Sequence, residues 1–91
     1  MLPVVWTGRA LDDLDDIVAF IGARDLAAAE RLQERIEQAV EGLADHPYMF
    51  RPGRVATTRE LVAHPNYIVI YRVTSKMIQV TAVLHARRRY P

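Results

Sequence analysis

The chain has no cysteine, a single lysine (Lys76), and no apolar run approaching the ~20 residues of a membrane-spanning helix. Without cysteine, neither a disulfide framework nor a thiolate zinc site can form, and nothing points to an oxidising compartment. The opening MLPVVWTGR meets a charge at Arg9, too soon for the apolar core of a signal peptide. The expected location is therefore the cytoplasm, with no membrane association. The near absence of lysine means that arginine carries almost all the positive charge, and arginine cannot act as a general acid at neutral pH. At 91 residues the chain is expected to form one domain over residues 1–91. A domain of that size buries only roughly 60–65% of the surface its unfolded chain exposes.

The formal net charge of +1 conceals a division. Residues 1–46 hold ten acidic and four basic side chains, a net −6, whereas residues 47–91 hold eight basic side chains against Glu60 alone, a net +7. Such a split points to an acidic or polyanionic partner for the basic surface. The plainer reading is that the halves neutralise each other across the fold.

Val4, Val5 and Trp6 form a β-prone run, and Thr7 is a suitable N-cap for a helix through about Gly22. Leu11, Leu14, Ile17, Val18 and Ile21 lie on one stripe of that helix, leaving Asp12, Asp13, Asp15 and Asp16 to solvent or to the helix start. Asp25 caps a second helix to about Asp45, with Leu26, Ala29, Leu32, Ile36, Val40 and Leu43 as its apolar face, and Pro47 ends it. The segment PYMFRPG (47–53) reads as a loop. Three strands follow, at about 54–63, 67–73 and 77–85, joined by hairpin-length turns and therefore antiparallel. Strict alternation puts Ile78, Val80, Ala82 and Leu84 on one face, which should receive the helices; the other sheet face is left partly polar and open. Trp6, Tyr67 and Tyr71 are expected in the core or packed on the sheet. The predicted class is α+β: a short N-terminal strand, then an antiparallel helix pair packed on a small antiparallel sheet.

That order, together with ALDDLDDIVAFI in the first helix, RPGRVATTREL at 51–61, YIVIYRV at 67–73 and VLHARRRYP at 83–91, resembles the RelE/ParE toxins of type II toxin–antitoxin systems over nearly the whole chain. The resemblance implies a growth-inhibiting protein held inactive by a cognate antitoxin encoded beside it. Operator DNA would be reached only through that antitoxin. The basic second half, with Arg54, Arg59 and Arg72, offers an acidic antitoxin segment a complementary surface. No metal or organic cofactor is implied.

Two activities go with this resemblance. RelE-like members cut mRNA on the ribosome, which requires a base for the ribose 2′-OH, a cation for the phosphorane and an acid for the leaving oxygen. His85 as base or acid, Arg59 and Arg87 as phosphate clamps, and Tyr90 as a stacking or proton-handling group would fill those roles. RelE-type sites are rich in lysine, however, and here Lys76 lies in a predicted turn. ParE-like members instead poison DNA gyrase without catalysing a reaction. The TREL and VLH-x-R patterns look more like that side, with Arg87, Arg88, Arg89 and Tyr90 as the target-contacting segment.

Each of these residues also has a plainer role. His85 can be a hydrogen-bonded strand end, Arg59 and Glu60 a surface ion pair of little energetic consequence, and Arg87–Arg89 a solubilising tail. A non-toxic nucleic-acid-binding module would use the same charge split, but the chain has no arginine- or lysine-rich helix to enter a groove.

Overall fold

Two short polar side chains start the helices. In the computed structural model, which describes residues 1–91, Thr7 is extended and its Oγ1 accepts the Ala10 N–H at 3.1 Å, opening α1 (Gly8–Gly22). Asp25 does the same for α2 (Leu26–Glu41), where Oδ1 accepts the Ala28 N–H at 3.0 Å. Each cap satisfies an N–H that the helix cannot bond internally. α2 tightens into a 3₁₀ turn over Gly42–Ala44, so the regular helix ends earlier than Pro47 alone would require.

The strands are β1 (Val4–Trp6), β2 (Arg51–Pro52), β3 (Arg59–His64), β4 (Tyr67–Val73) and β5 (Ile78–His85). They form one sheet in the order β1-β5-β4-β3-β2. The α+β class holds, with a correction to the sheet: it is mixed, because β1 runs parallel to β5 from Val4↔Ile78 to Trp6↔Val80. The other pairs are antiparallel. β3 begins at Arg59 rather than Arg54. Residues 53–58 fold into a tight loop in which the Gly53 N–H donates to the Thr58 carbonyl at 2.7 Å and Thr57 takes a left-handed φ of 70°. A Cβ at Gly53 would collide with the Thr58 side chain, so this return requires glycine. Arg51 and Pro52, expected in a loop, pair with Glu60 and Arg59 at the sheet edge, where a proline is tolerated.

The helices cover one sheet face. Ala10 and Leu14 of α1, with Leu32, Ile36 and Val40 of α2, pack against Leu61, Val69, Tyr71, Ile78, Val80 and Val83. The expected strict alternation of β5 fails at Thr81. Tyr71 pairs with Val80 but Ile70 pairs with Ala82, so Thr81 is an extra residue and the facing of β5 inverts there. Ile78, Val80 and Val83 therefore point to the helices, while Ala82 and Leu84 turn to the opposite face. There they join Ile68 and Ile70 in a second apolar strip, partly covered by Ala86 and Tyr90.

Both sheet edges are finished by helix side chains. β1 ends at Trp6, and beyond it Asp13 of α1 accepts the Val83 N–H of β5 at 3.0 Å. Asp13 is thus a structural acceptor and not one of a set of solvated acids. Past the two residues of β2, Arg35 of α2 donates from Nε to the Ala63 carbonyl at 3.1 Å. Edge groups occupied in this way are not offered to a foreign strand.

Candidate functional site

The candidate residues divide between the two faces of the sheet. On the helix side, Arg59 and Tyr71 lie opposite each other across β3 and β4. The Arg59 Nη1 donates to the carbonyls of Phe50 at 2.8 Å and Tyr48 at 3.2 Å, and its guanidinium lies 5.1 Å from the centroid of the Tyr48 ring. The Tyr71 hydroxyl donates to the Pro47 carbonyl at 2.7 Å. Burial pushes the Tyr71 hydroxyl above its ordinary pKa, against the opposing pull of the Arg59 guanidinium. Arg59 is therefore committed to holding the 47–50 loop. It makes no ion pair with Glu60, which points to the other face.

His85 also faces the helix side, at the far end of the ladder, paired with Tyr67. Its Nδ1 accepts the Arg87 N–H at 3.1 Å, and its ring meets that of Tyr67 edge-on at 5.4 Å. A neutral ring whose Nδ1 accepts carries its proton on Nε2. Arg59 pairs with Tyr71, four residues further along β4, which is ~13 Å at strand rise, and β4 lies between its strand and that of His85. His85 borders a groove of about 330 Å³ between α1 and β5 that also includes Phe20, Tyr67 and Arg88.

The open face gathers the remaining candidates. Glu60, buried at 4% exposure, accepts from Arg51 Nε at 2.9 Å and Nη2 at 2.8 Å, both on Oε1, while Arg54 Nε stands 3.8 Å from Oε2. The Arg54 guanidinium lies 4.6 Å from the centroid of the Tyr90 ring, a cation–π stack that anchors the C-terminal segment over the apolar strip. Beside it opens a cleft of about 500 Å³ lined by Arg72, Arg88, Arg89 and Tyr90 among others. Arg72 Nε and the Tyr90 hydroxyl are buried without a hydrogen-bond partner in the chain.

The structure thus brings Arg54, Arg72, Arg88, Arg89 and Tyr90 together on one face. It separates them from Arg59, and from His85 except for Arg88, which borders both the cleft and the His85 groove, while the backbone of Arg87 caps His85. Sequence reasoning missed Arg9, which reaches the cleft from α1, and the Arg51–Glu60 pair. Glu60 did carry a signal: it is the only acid of the second half and sits in an apolar strand, where a carboxylate needs a buried partner.

Comparison with known proteins agrees with this architecture. The chain is 46% identical over 87 residues to the Y4kP protein of Sinorhizobium fredii, covering 94% of this chain and 90% of that one. It is 40% identical over 90 residues to Toxin RelE2 of Caulobacter vibrioides, covering 97% and 99%. Among solved structures, a chain of the chromosomal ParDE toxin–antitoxin system of P. aeruginosa superposes with a TM-score of 0.86 at 25% identity, over 93% of this chain and 96% of that chain. A chain of the E. coli DinJ-YafQ complex shares the fold with a TM-score of 0.65 at 15% identity, over 93% of each. The model for the ParE toxin of the type II toxin–antitoxin system parDE matches residues 4–90, and the chain belongs to that family of toxins.

Proposed function

We propose that this chain is a ParE-like toxin that acts in the cytoplasm by poisoning DNA gyrase and catalyses no reaction of its own. A cognate antitoxin neutralises it, and operator DNA is reached only through that antitoxin. The observation that carries the reading is the separation of His85 from Arg59, which stand at opposite ends of the β3–β4–β5 ladder, so that a proton-handling ring and a phosphate clamp do not meet on one substrate. His85 Nδ1 is moreover engaged by the Arg87 N–H at 3.1 Å. Arg59 offers no help as a clamp, since its guanidinium is bound to loop carbonyls at the other end of the sheet. Family membership and the arginine-rich segment 87–89 support a binding mechanism in place of RNA cleavage.

The test is incorporation of labelled thymidine and labelled methionine in the first minutes after induction in bacteria. DNA synthesis is expected to stop first, and purified gyrase incubated with the protein should accumulate linear, cleaved plasmid. An early stop in protein synthesis, abolished by His85→Ala, would instead establish ribosome-dependent mRNA cleavage. Antitoxin pairing is checked by co-purification with the product of the adjacent reading frame.

A further inference from the structure

The acidic first half of the chain holds only four basic side chains, and two of them stand together. Ala28, Arg31, Leu32 and Arg35 share one face of α2 at three- and four-residue steps, while Glu30, Glu34, Glu37 and Glu41 follow the same steps along a neighbouring stripe. Arg31 and Arg35 are thus spaced as a like-charge pair, an arrangement that weakens a helix unless an anion answers it. The glutamates do not answer it: Glu34 accepts from Gln38 at 3.2 Å, and the chain's ion pairs are Arg9–Asp13, Arg51–Glu60 and Arg54–Glu60. The sheet supplies a third member. β3 carries an extra residue at Ala63, since Val62 pairs with Ile68 but His64 with Tyr67. The Ala63 carbonyl accepts Arg35 Nε at 3.1 Å, which holds that guanidinium by one edge and commits neither Nη group. His64 is half-buried, and its Nδ1 accepts the Asn66 N–H at 3.0 Å, leaving Nε2–H as the donor of the neutral ring. Arg31, Arg35 and His64 border one pocket of about 430 Å³ with Ala28 and Leu32, and no acidic side chain lines it. Its polar side chains have only donors left to offer.

We infer that this pocket is a phosphate site, and that the phosphate it takes is a backbone phosphodiester of DNA. Two guanidinium groups from a helix and an imidazole from the sheet can each donate to a different oxygen of a tetrahedral anion. The surroundings favour a phosphate that is part of a chain. The His64 ring meets that of Tyr67 at 5.8 Å and the His85 ring meets it at 5.4 Å, so one aromatic ring stands between the pocket and the groove that His85 and Arg88 border. The two acids of that groove, Asp13 and Asp16, come from α1, and Asp13 is taken up by the Val83 N–H. Basic sites on either side of an aromatic ring suit successive phosphates of one strand, whereas a free phosphate would use the pocket alone. Contacts of this kind fix a protein's position on nucleic acid and read no sequence. That the strand is DNA rests on the reading of this chain as a gyrase poison, whose target holds DNA as it is bound.

The test is fluorescence anisotropy of a labelled duplex DNA oligonucleotide titrated with the full chain over a series of salt concentrations, for wild type, Arg31→Gln, His64→Asn and Arg24→Gln. Arg31 has no ion pair to lose, and asparagine in place of His64 keeps an acceptor for the Asn66 N–H while removing the Nε2 donor. Arg24→Gln removes the same charge away from the pocket. Arg31→Gln should weaken binding about ten-fold and lower the salt slope by about one phosphate contact. His64→Asn should weaken it roughly five-fold, and Arg24→Gln by about two-fold at most with the slope unchanged. Equal losses in Arg31→Gln and Arg24→Gln would overturn the phosphate site, because net charge alone would then explain them. A wild type that does not bind DNA, that prefers an RNA oligonucleotide, or that inorganic phosphate stabilises against heat through Arg31 without DNA binding, would overturn the assignment to DNA. Cleavage of plasmid by gyrase judges the underlying reading separately. A wild type that binds DNA through Arg31 but leaves gyrase unaffected loses that reading and keeps the site, whereas one that poisons gyrase while both pocket variants bind DNA normally loses the inference alone.

Discussion

Tyr71 and Arg59 together hold a loop that has no secondary structure of its own, and each contribution can be measured. Tyr71→Phe removes the bond to the Pro47 carbonyl and leaves that acceptor unpaired. A loss of about 1 kcal/mol is expected, a fall in Tm of roughly 4–8 °C in a domain of this size, read by thermal denaturation. The same hydroxyl makes the fold alkali-sensitive. Because burial raises its pKa above the unfolded value of about 10, its contribution is fully present below that pH and is lost as the pH rises through the folded value. Urea midpoints should fall above about pH 10 in the wild type, and less steeply in Tyr71→Phe. Arg59→Ala frees two loop carbonyls and should cost roughly 1–2 kcal/mol by urea titration. It should leave growth inhibition intact wherever enough folded protein remains; a nuclease clamp would lose activity at full stability. This structural role was not legible in the sequence, where Arg59 beside Glu60 reads as a pair. Alternation along β3 sends the two to opposite faces, and only the register against β2 and β4 shows what each meets.

At the scale of elements, the helices were legible because their signals are local. Thr7 and Asp25 stand one residue before their helices, each with an apolar stripe following within a turn or so, and both cap as expected. β5 was misread for an equally physical reason. IQVTAVLH alternates through Ala82 and then runs Ala82, Val83, Leu84 without a polar residue; that apolar run fits a strand buried on both faces as well as it fits a bulge, and the extra residue at Thr81 appears only in the pairing with β4. The parallel placement of β1 is likewise a product of the crossover through both helices, which no short window of sequence contains. Asp13 joins these two features by closing the edge that β1 leaves open. Asp13→Ala strands the Val83 N–H and should cost about 1–2 kcal/mol, whereas Asp13→Asn keeps an acceptor and should recover much of that in denaturant titrations.

Across the whole molecule, the charge division seen in the sequence becomes a division in space. The acids belong mainly to the helical layer, and the arginines of the open sheet face and the C-terminal segment stand on the other side. The plainer reading, that the halves cancel each other, finds no ion pair to carry it: Arg9–Asp13 lies within the first half, and Arg51–Glu60 and Arg54–Glu60 lie within the second. Combined replacement of Arg87, Arg88 and Arg89 by alanine should abolish growth inhibition on induction while leaving the melting transition within a few degrees of wild type, since none of the three guanidinium groups makes an ion pair within the chain. Deleting the segment after Leu84 is a different experiment. It removes Tyr90 from the strip of Ile68, Ile70 and Leu84 and should yield a protein that aggregates, visible by light scattering.

The pairing of the first strand with the last has a consequence for synthesis. Val4 finds its neighbour only at Ile78, and the central strand of the sheet cannot be flanked on both sides until β5 has been made. A growing chain on the ribosome therefore holds its helices without a completed sheet to pack on for most of its translation, and long-range closure of this kind comes late. Fragments that stop before residue 78 lack the strand that joins β1 to β4 and should be unfolded and harmless. Toxicity would then switch on only as the final few residues emerge, which gives the cell a population of nascent chains that are inert until each is finished.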